Sequence, residues 1–215
     1  VAADGSGASS SPAEEVASEI RAAGGEAITN GDDITDWAGA KRLIDSAVAA
    51  FGRLDVLVNN AGFTRDRMFV NAAEDEWDAV IRVHLRGHFC PARHAAAHWR
   101  DAAKRGEKVD ARIINTTSGA GLLGNFGQTN YATAKAAIVG LTQTLNLELS
   151  KLGVTANVIG PGGITRISGT MRPEAVREPD EIPADEFDRY DPSLCSPVVA
   201  WLCSDEAAYV SGQVI

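Results

Sequence analysis

The 215-residue chain is 45% hydrophobic and 23% charged, enough apolar material for one well-cored domain and too little length for two. Its net charge of -9 argues against a nucleic-acid or anionic-membrane surface, both of which need clustered Lys and Arg, and leaves a small-molecule partner. No stretch approaches the roughly 20 apolar residues of a membrane span, and the amino end lacks a signal-peptide layout, so the expected location is cytoplasmic. Cys90, Cys195 and Cys203 match no zinc or redox spacing; they read as small hydrophobes, with no metal site expected.

In chain order, residues 1–12 are rich in Gly, Ser and Ala and read as a loop. A first helix is expected over 13–23, closed by Gly24 and Gly25, and a short strand over 26–29. Asp36 is placed to cap a second helix, in which Leu43, Ile44, Ala47, Val48 and Phe51 follow three- and four-residue spacing until Gly52 ends it. Residues 54–58 form a compact apolar run without alternation, the pattern of a parallel strand buried on both faces. A long helix follows, with Trp77, Val80, Ile81, His84 and Leu85 on one side. Then come a strand over 111–115, a helix over 128–152 ended by Gly153, and a strand over 154–159.

This alternation predicts a Rossmann-type α/β domain, a doubly wound parallel sheet in three α/β/α layers spanning residues 1–215. Residues 171–195 break the pattern, with Pro173, Pro179, Pro183 and Pro192 among acidic residues. Two readings are open for them, a mobile substrate-side segment over the ligand crevice and a plain surface excursion. A helix over 196–203 and the start of a strand over 209–215 complete the chain. A nucleotide-binding sheet of this type opens with a strand and a glycine-rich turn for the pyrophosphate. No such segment is present, so about one βαβ unit of roughly 30 residues is expected to precede the chain, which also stops inside its last strand. Asp4 is either the acidic ribose ligand after a second strand or part of the opening loop.

Tyr131 and Lys135 stand four residues apart, on one face of the helix expected over 128–152. A phenol with a pKa near about 10 is a poor proton donor or acceptor at neutral pH, and a fixed cation beside it stabilises the phenolate. Lys135 is therefore expected to lower the pKa of Tyr131 and make it a general acid/base. Ser118 follows the buried run Arg112-Ile113-Ile114-Asn115, just past the carboxyl end of a strand, where open α/β sheets bind ligands. It is either a site hydroxyl or a turn former. Asn59-Asn60-Ala61-Gly62 ends another strand in amides and small residues. That suits either close approach to a flat cofactor or an ordinary Asn-rich turn.

In this order and spacing, Asn59-Asn60-Ala61-Gly62, Ser118, Tyr131 and Lys135 resemble the short-chain dehydrogenase/reductase family. Asp33-Ile34, Gly127-Gln128-Thr129-Asn130, Asn157 through Gly162 and Ser211-Gly212-Gln213 support the likeness. The resemblance implies a hydride exchange between NAD or NADP and an alcohol or ketone. Tyr131 would move the proton, Lys135 would tune the phenol and hold the nicotinamide ribose, and Ser118 would polarise the substrate oxygen. Asp33 and Ile34 would hold the adenine, Asn60, Ala61 and Gly62 would line the cofactor, and Ile164 would meet the carboxamide. A homodimer or homotetramer is also implied, with the helix over 128–152 presenting Ile138, Leu141 and Leu145 on an apolar face.

Two positions depart from the family pattern. His84 stands where an asparagine commonly supports a relay water, and it is either a structural residue or a proton shuttle. Thr165 and Arg166 replace the usual spacing after Pro161. The segment Val83-His84-Leu85-Arg86-Gly87 is similar to the dehydrogenase domains of multifunctional hydroxyacyl-CoA enzymes and their bacterial relatives. This points to a 3-hydroxyacyl thioester, or else an alicyclic or steroid-like alcohol. The competing reading is a catalytically silent nucleotide-binding sensor or scaffold of the same fold.

Overall fold

The computed structural model describes residues 11–163, 187–188 and 190–215. Three parallel strands, β1 (Val56–Asn59), β2 (Ala111–Thr116) and β3 (Val154–Ile159), pair in the order β1-β2-β3, with Leu57 opposite Ile113 and Ile113 opposite Ala156. Every residue of β2 is buried, as a central parallel strand requires. Among the described residues β1 pairs only with β2, and Val58 is 43% exposed, short of the expected coverage on both faces.

Helices α1 (Ser11–Ala22) and α2 (Trp37–Phe51) come first. Asp36 caps α2 by accepting from the Gly39 amide at 2.7 Å, and Gly52 closes it in the left-handed conformation with its N–H on the Val48 carbonyl. The expected strand over 26–29 is a correction: that stretch is irregular, and Ile28 is 48% exposed. Without a partner ladder among the described residues, local strand propensity has nothing to pair with.

The long helix expected after β1 is in fact three pieces: α3 (Glu74–Ile81), a π-helical turn (Arg82–Arg86) and α4 (Gly87–Lys104). The Gly87 amide reaches five residues back to the Arg82 carbonyl, which marks the π register. Pro91 follows inside α4, where it has no amide to offer the preceding turn. A short helix α5 (Gly119–Leu123) follows β2, and α6 (Thr129–Leu149) leads through a 3-10 turn (Ser150–Leu152) into β3. α7 (Ser196–Cys203) matches the sequence reading.

Two apolar clusters define the layers. On one face Ile44, Ala92, Ala95 and Trp99 from α2 and α4 pack with Leu145 and Leu149 of α6 against Leu57, Ile113 and Ala156. On the other, Leu202 and Val199 of α7 cover Ile114 and Ile159. The sheet is therefore a three-layer α/β/α arrangement. Ile138 is fully buried and Leu145 packs, partly buried, against this core cluster. The final strand is reduced to one bridge between Val158 and Val214, held by Val158 N to Gln213 O at 2.9 Å and Ile215 N to Val158 O at 3.0 Å.

Candidate active site

The carboxyl ends of β1, β2 and β3 open onto a cavity of about 830 Å³, the size of a small-molecule site. Ser118, Tyr131, Lys135 and Asn60 form its polar wall, and Phe63, Ile159 and Val199 part of its apolar wall. Ser118 meets Tyr131 and Lys135 there because β2 ends at Thr116 and α6 crosses that end.

Two hydrogen bonds lace these elements together. Lys135 Nζ donates to the Thr116 carbonyl at 2.7 Å, and Thr117 Oγ1 donates to the Lys135 carbonyl at 2.7 Å. Gly121 allows the close approach, since a Cβ there would sit 2.7 Å from the Lys135 backbone. Ser118 has both of its expected characters: its Oγ accepts from the Ala120 amide at 3.3 Å as the cap of α5, and its hydroxyl reaches the Tyr131 phenol. Lys135 Nζ lies 5.6 Å from the Tyr131 ring centre.

The electrostatics differ from the sequence expectation. Burial pushes the Tyr131 pKa up; the Ser118 hydrogen bond pulls it down and the Asp66 charge raises it further. The Lys135 ammonium, 5.6 Å from the ring, is turned to the Thr116 carbonyl, and burial is the dominant influence on the phenol. Burial in turn lowers Lys135 to about 8. Tyr131 is thus a protonated phenol at neutral pH.

Beneath the cavity, Asn59 Nδ2 donates to Asn115 Oδ1 at 2.9 Å, and Asn115 Nδ2 donates to Thr142 Oγ1 at 2.9 Å. This buried chain ties β1, β2 and α6 together. Asn60 Oδ1 accepts from Thr116 Oγ1 at 3.3 Å. Asn60 and Gly62 line the cavity, and Ala61 is exposed beside them without lining it. A Cβ at Gly62 would lie 2.1 Å from His84 Cε1, so only glycine lets the chain pass over that ring.

His84 lines the cavity and is 2% exposed. Its Nε2 lies 2.7 Å from the Phe63 carbonyl, its Nδ1 has no hydrogen-bond partner, and its ring meets the Tyr131 ring edge-on at 5.1 Å. Burial, with the Lys135 charge second, lowers its pKa to about 4, so it is neutral. The π turn presents it there.

Asp33 and Ile34 do not line the cavity. Asp33 accepts from Arg82 at 3.1 Å and from the Thr35 amide at 2.8 Å, while Ile34 packs where a Cβ on Gly87 would meet it at 2.9 Å. Ile164, Thr165, Arg166 and Asp4 lie outside the described residues, as does most of 171–195. Sequence reasoning missed Asp66, which accepts both contacts of the Gln128 amide at 3.0 and 3.1 Å. It sits in a loop, where no periodicity marks it.

No metal-ligating group of three or more His, Cys, Asp or Glu occurs among the described residues. Nor is any helix among them long and apolar enough to cross a membrane. The lining suits a flat dinucleotide: glycine backbone at Gly62 and Gly162, the Asn60 amide and Lys135 all line the one cavity.

The short chain dehydrogenase family model matches residues 5–175. A hydroxyacyl-CoA dehydrogenase of Mycobacterium tuberculosis is 46% identical over 96% of this chain, which spans 66% of that relative's length. Mouse peroxisomal multifunctional enzyme type 2 is 40% identical over 94% of the chain, which corresponds to 25% of that larger protein. A crystal structure of a short chain dehydrogenase from Mycobacterium avium, 51% identical, superposes with a TM-score of 0.85 over all of this chain and 70% of its own. The likeness in sequence covers nearly the whole chain and the likeness in backbone all of it, and the chain belongs to the short-chain dehydrogenase family.

Proposed function

We propose that this chain carries the catalytic residues of an NAD- or NADP-dependent oxidoreductase that interconverts a secondary alcohol and a ketone, with a 3-hydroxyacyl thioester as the preferred substrate. The observation that carries this reading is the convergence of Ser118, Tyr131 and Lys135 on one wall of the crevice. The substrate class follows from the likeness to the hydroxyacyl-CoA dehydrogenase and the multifunctional enzyme. The apolar wall of Phe63, Ile159 and Val199 suits an acyl chain.

The crevice would hold a nicotinamide dinucleotide, which would supply or accept the hydride when bound. The chain's own residues handle the proton. In reduction the Tyr131 phenol donates its proton to the carbonyl oxygen, and the Ser118 hydroxyl hydrogen-bonds the same oxygen. Lys135, Asn60 and Gly62 would hold the nicotinamide half of the dinucleotide. Because burial keeps Tyr131 protonated, reduction proceeds at neutral pH and alcohol oxidation gains as pH rises. Above pH 8 Lys135 loses its charge.

Replacing Tyr131 by Phe removes the proton donor and keeps the ring against His84. Turnover of a 3-oxoacyl-CoA with NADH or NADPH, followed by loss of nicotinamide absorbance, is expected to fall by at least about 10²-fold, with dinucleotide binding retained. Normal turnover in that variant rules the assignment out.

A further inference from the structure

The imidazole of His84 is held from several directions at once. Its Nε2 lies 2.7 Å from the Phe63 carbonyl oxygen and 3.2 Å from the Phe63 amide nitrogen. A carbonyl can only accept, so the shorter contact puts the ring proton on Nε2 and leaves Nδ1 with a bare lone pair. Gly62 passes so close that a Cβ on it would stand 2.1 Å from Cε1, 2.8 Å from Nδ1 and 2.9 Å from Nε2. The remaining contact is with Tyr131: the two rings meet edge to face, at 90° and with centres 5.1 Å apart, the geometry aromatic pairs prefer.

The fixed tautomer limits what this ring can do. An imidazole that passes a proton along takes it at one nitrogen and releases it from the other. Here the Nε2 side ends on an amide carbonyl, which is no base at neutral pH, and burial keeps the ring uncharged. The ring can nevertheless direct its neighbour. His84 comes from the π turn between α3 and α4, and Tyr131 from the first turn of α6, so their contact fixes the phenol against an element other than its own helix.

We propose that His84 is a positioning residue for the proton-transfer step: clamped by Gly62 and the Phe63 carbonyl, its ring is a rigid aromatic brace that aims the Tyr131 phenol at the reacting oxygen, and it shuttles no proton through itself. This rests on the reading of Tyr131 as the proton donor. The phenol hydroxyl already has Ser118 as a hydrogen-bond partner, and Lys135 Nζ, 5.6 Å from the ring centre, is bonded to the Thr116 carbonyl. Neither contact sets the tilt of the ring itself. A side chain of similar reach without a flat face would fill the space and leave that tilt free.

Two substitutions separate the ring from its nitrogens. His84→Gln keeps an N–H for the Phe63 carbonyl and removes the ring, whereas His84→Phe keeps a ring and removes the N–H. In turnover of a 3-oxoacyl-CoA with NADH or NADPH, His84→Gln is expected to lower kcat by about 10-fold to 10²-fold, the cost of a misaimed catalytic group, with KM for both substrates unchanged. The solvent deuterium isotope effect on kcat is expected to rise, because proton transfer becomes the slow step; a loss of folded protein alone would not move it. His84→Phe is expected to recover most of the lost kcat. A folded His84→Gln with wild-type kcat and isotope effect overturns the proposal. So does a His84→Phe that falls as far as His84→Gln, which would assign the role to the ring nitrogens. If His84→Phe does not fold, the nitrogen NMR shifts of the unaltered protein take its place: a protonated Nε2 with a bare Nδ1 is expected, and a protonated Nδ1 overturns the brace. Tyr131→Phe is read separately. Normal turnover there removes the proton-donor reading, whereas an inactive Tyr131→Phe beside a fully active His84→Gln removes this inference alone.

Discussion

Gly62 and His84 form the tightest junction of the crevice. Because an added Cβ at Gly62 would meet His84 Cε1 at 2.1 Å, Gly62→Ala forces the ring or the loop to move. Overpacking of this kind costs about 1–3 kcal/mol, so the denaturant midpoint is expected to fall. The loss originates in one contact. Truncating the ring by His84→Ala in the same chain should therefore recover part of it, and the double variant should lose less than the sum of the singles. A strictly additive result would place the strain elsewhere in the Gly62 loop.

At the scale of elements, catalysis depends on how closely α5 lies on α6. Ser118 caps α5 and Tyr131 belongs to α6. Gly121 lies between them, with no room for a Cβ against the Lys135 backbone at 2.7 Å. Backbone cannot rotate away as a side chain can. Gly121→Ala is thus expected to wedge the helices apart and separate Ser118 from Tyr131. A shift of about 1 Å between catalytic groups costs up to about 10²-fold in rate, so kcat is expected to drop while the far-UV circular dichroism is unchanged. Unaltered kcat in a well-folded Gly121→Ala would show that the two hydroxyls do not act as a unit. The π turn is the other element that matters, because its extra residue turns His84 inward and leaves Gly87 free to pack on Ile34.

For the molecule as a whole, the buried histidines set its response to acid. Burial lowers His84 to about 4 and His88 to about 3, with the Lys135 charge adding to both. In the unfolded chain each takes a proton near about 6.5, whereas in the folded chain each stays neutral until much lower pH. The unfolded state therefore binds more protons over that interval, and stability is lost as pH falls from 6.5 toward 4. Each site contributes up to about 3 kcal/mol to this loss. Urea midpoints measured between pH 7 and 4 are expected to fall steadily. The slope should be shallower in His88→Leu, provided that variant folds; an equal slope would assign acid sensitivity to the carboxylates.

Short-range patterns already announced most of this architecture. The Asp36 cap, the Gly52 and Gly153 stops, strand β3 and the span of α7 are each written in a few neighbouring residues, because capping and left-handed turns act over a single helical turn. The pairing of Tyr131 with Lys135 was legible for the same reason, as was Ser118 at the end of a buried strand. What depends on residues far apart was not legible. The 26–29 stretch reads as a strand but has no ladder among the described residues, and Ile138 and Leu145 turn toward the sheet because packing, and not helical period alone, decides which side of α6 is covered. The direction of the Tyr131 pKa reversed for a related reason. Spacing puts Lys135 beside the phenol, yet burial and the Thr116 carbonyl decide where its ammonium points and how strongly the phenol is desolvated. Asp66 shows the limit most clearly: 62 residues separate it from Gln128, and only the folded chain brings its carboxylate onto the amide of that cavity-lining residue.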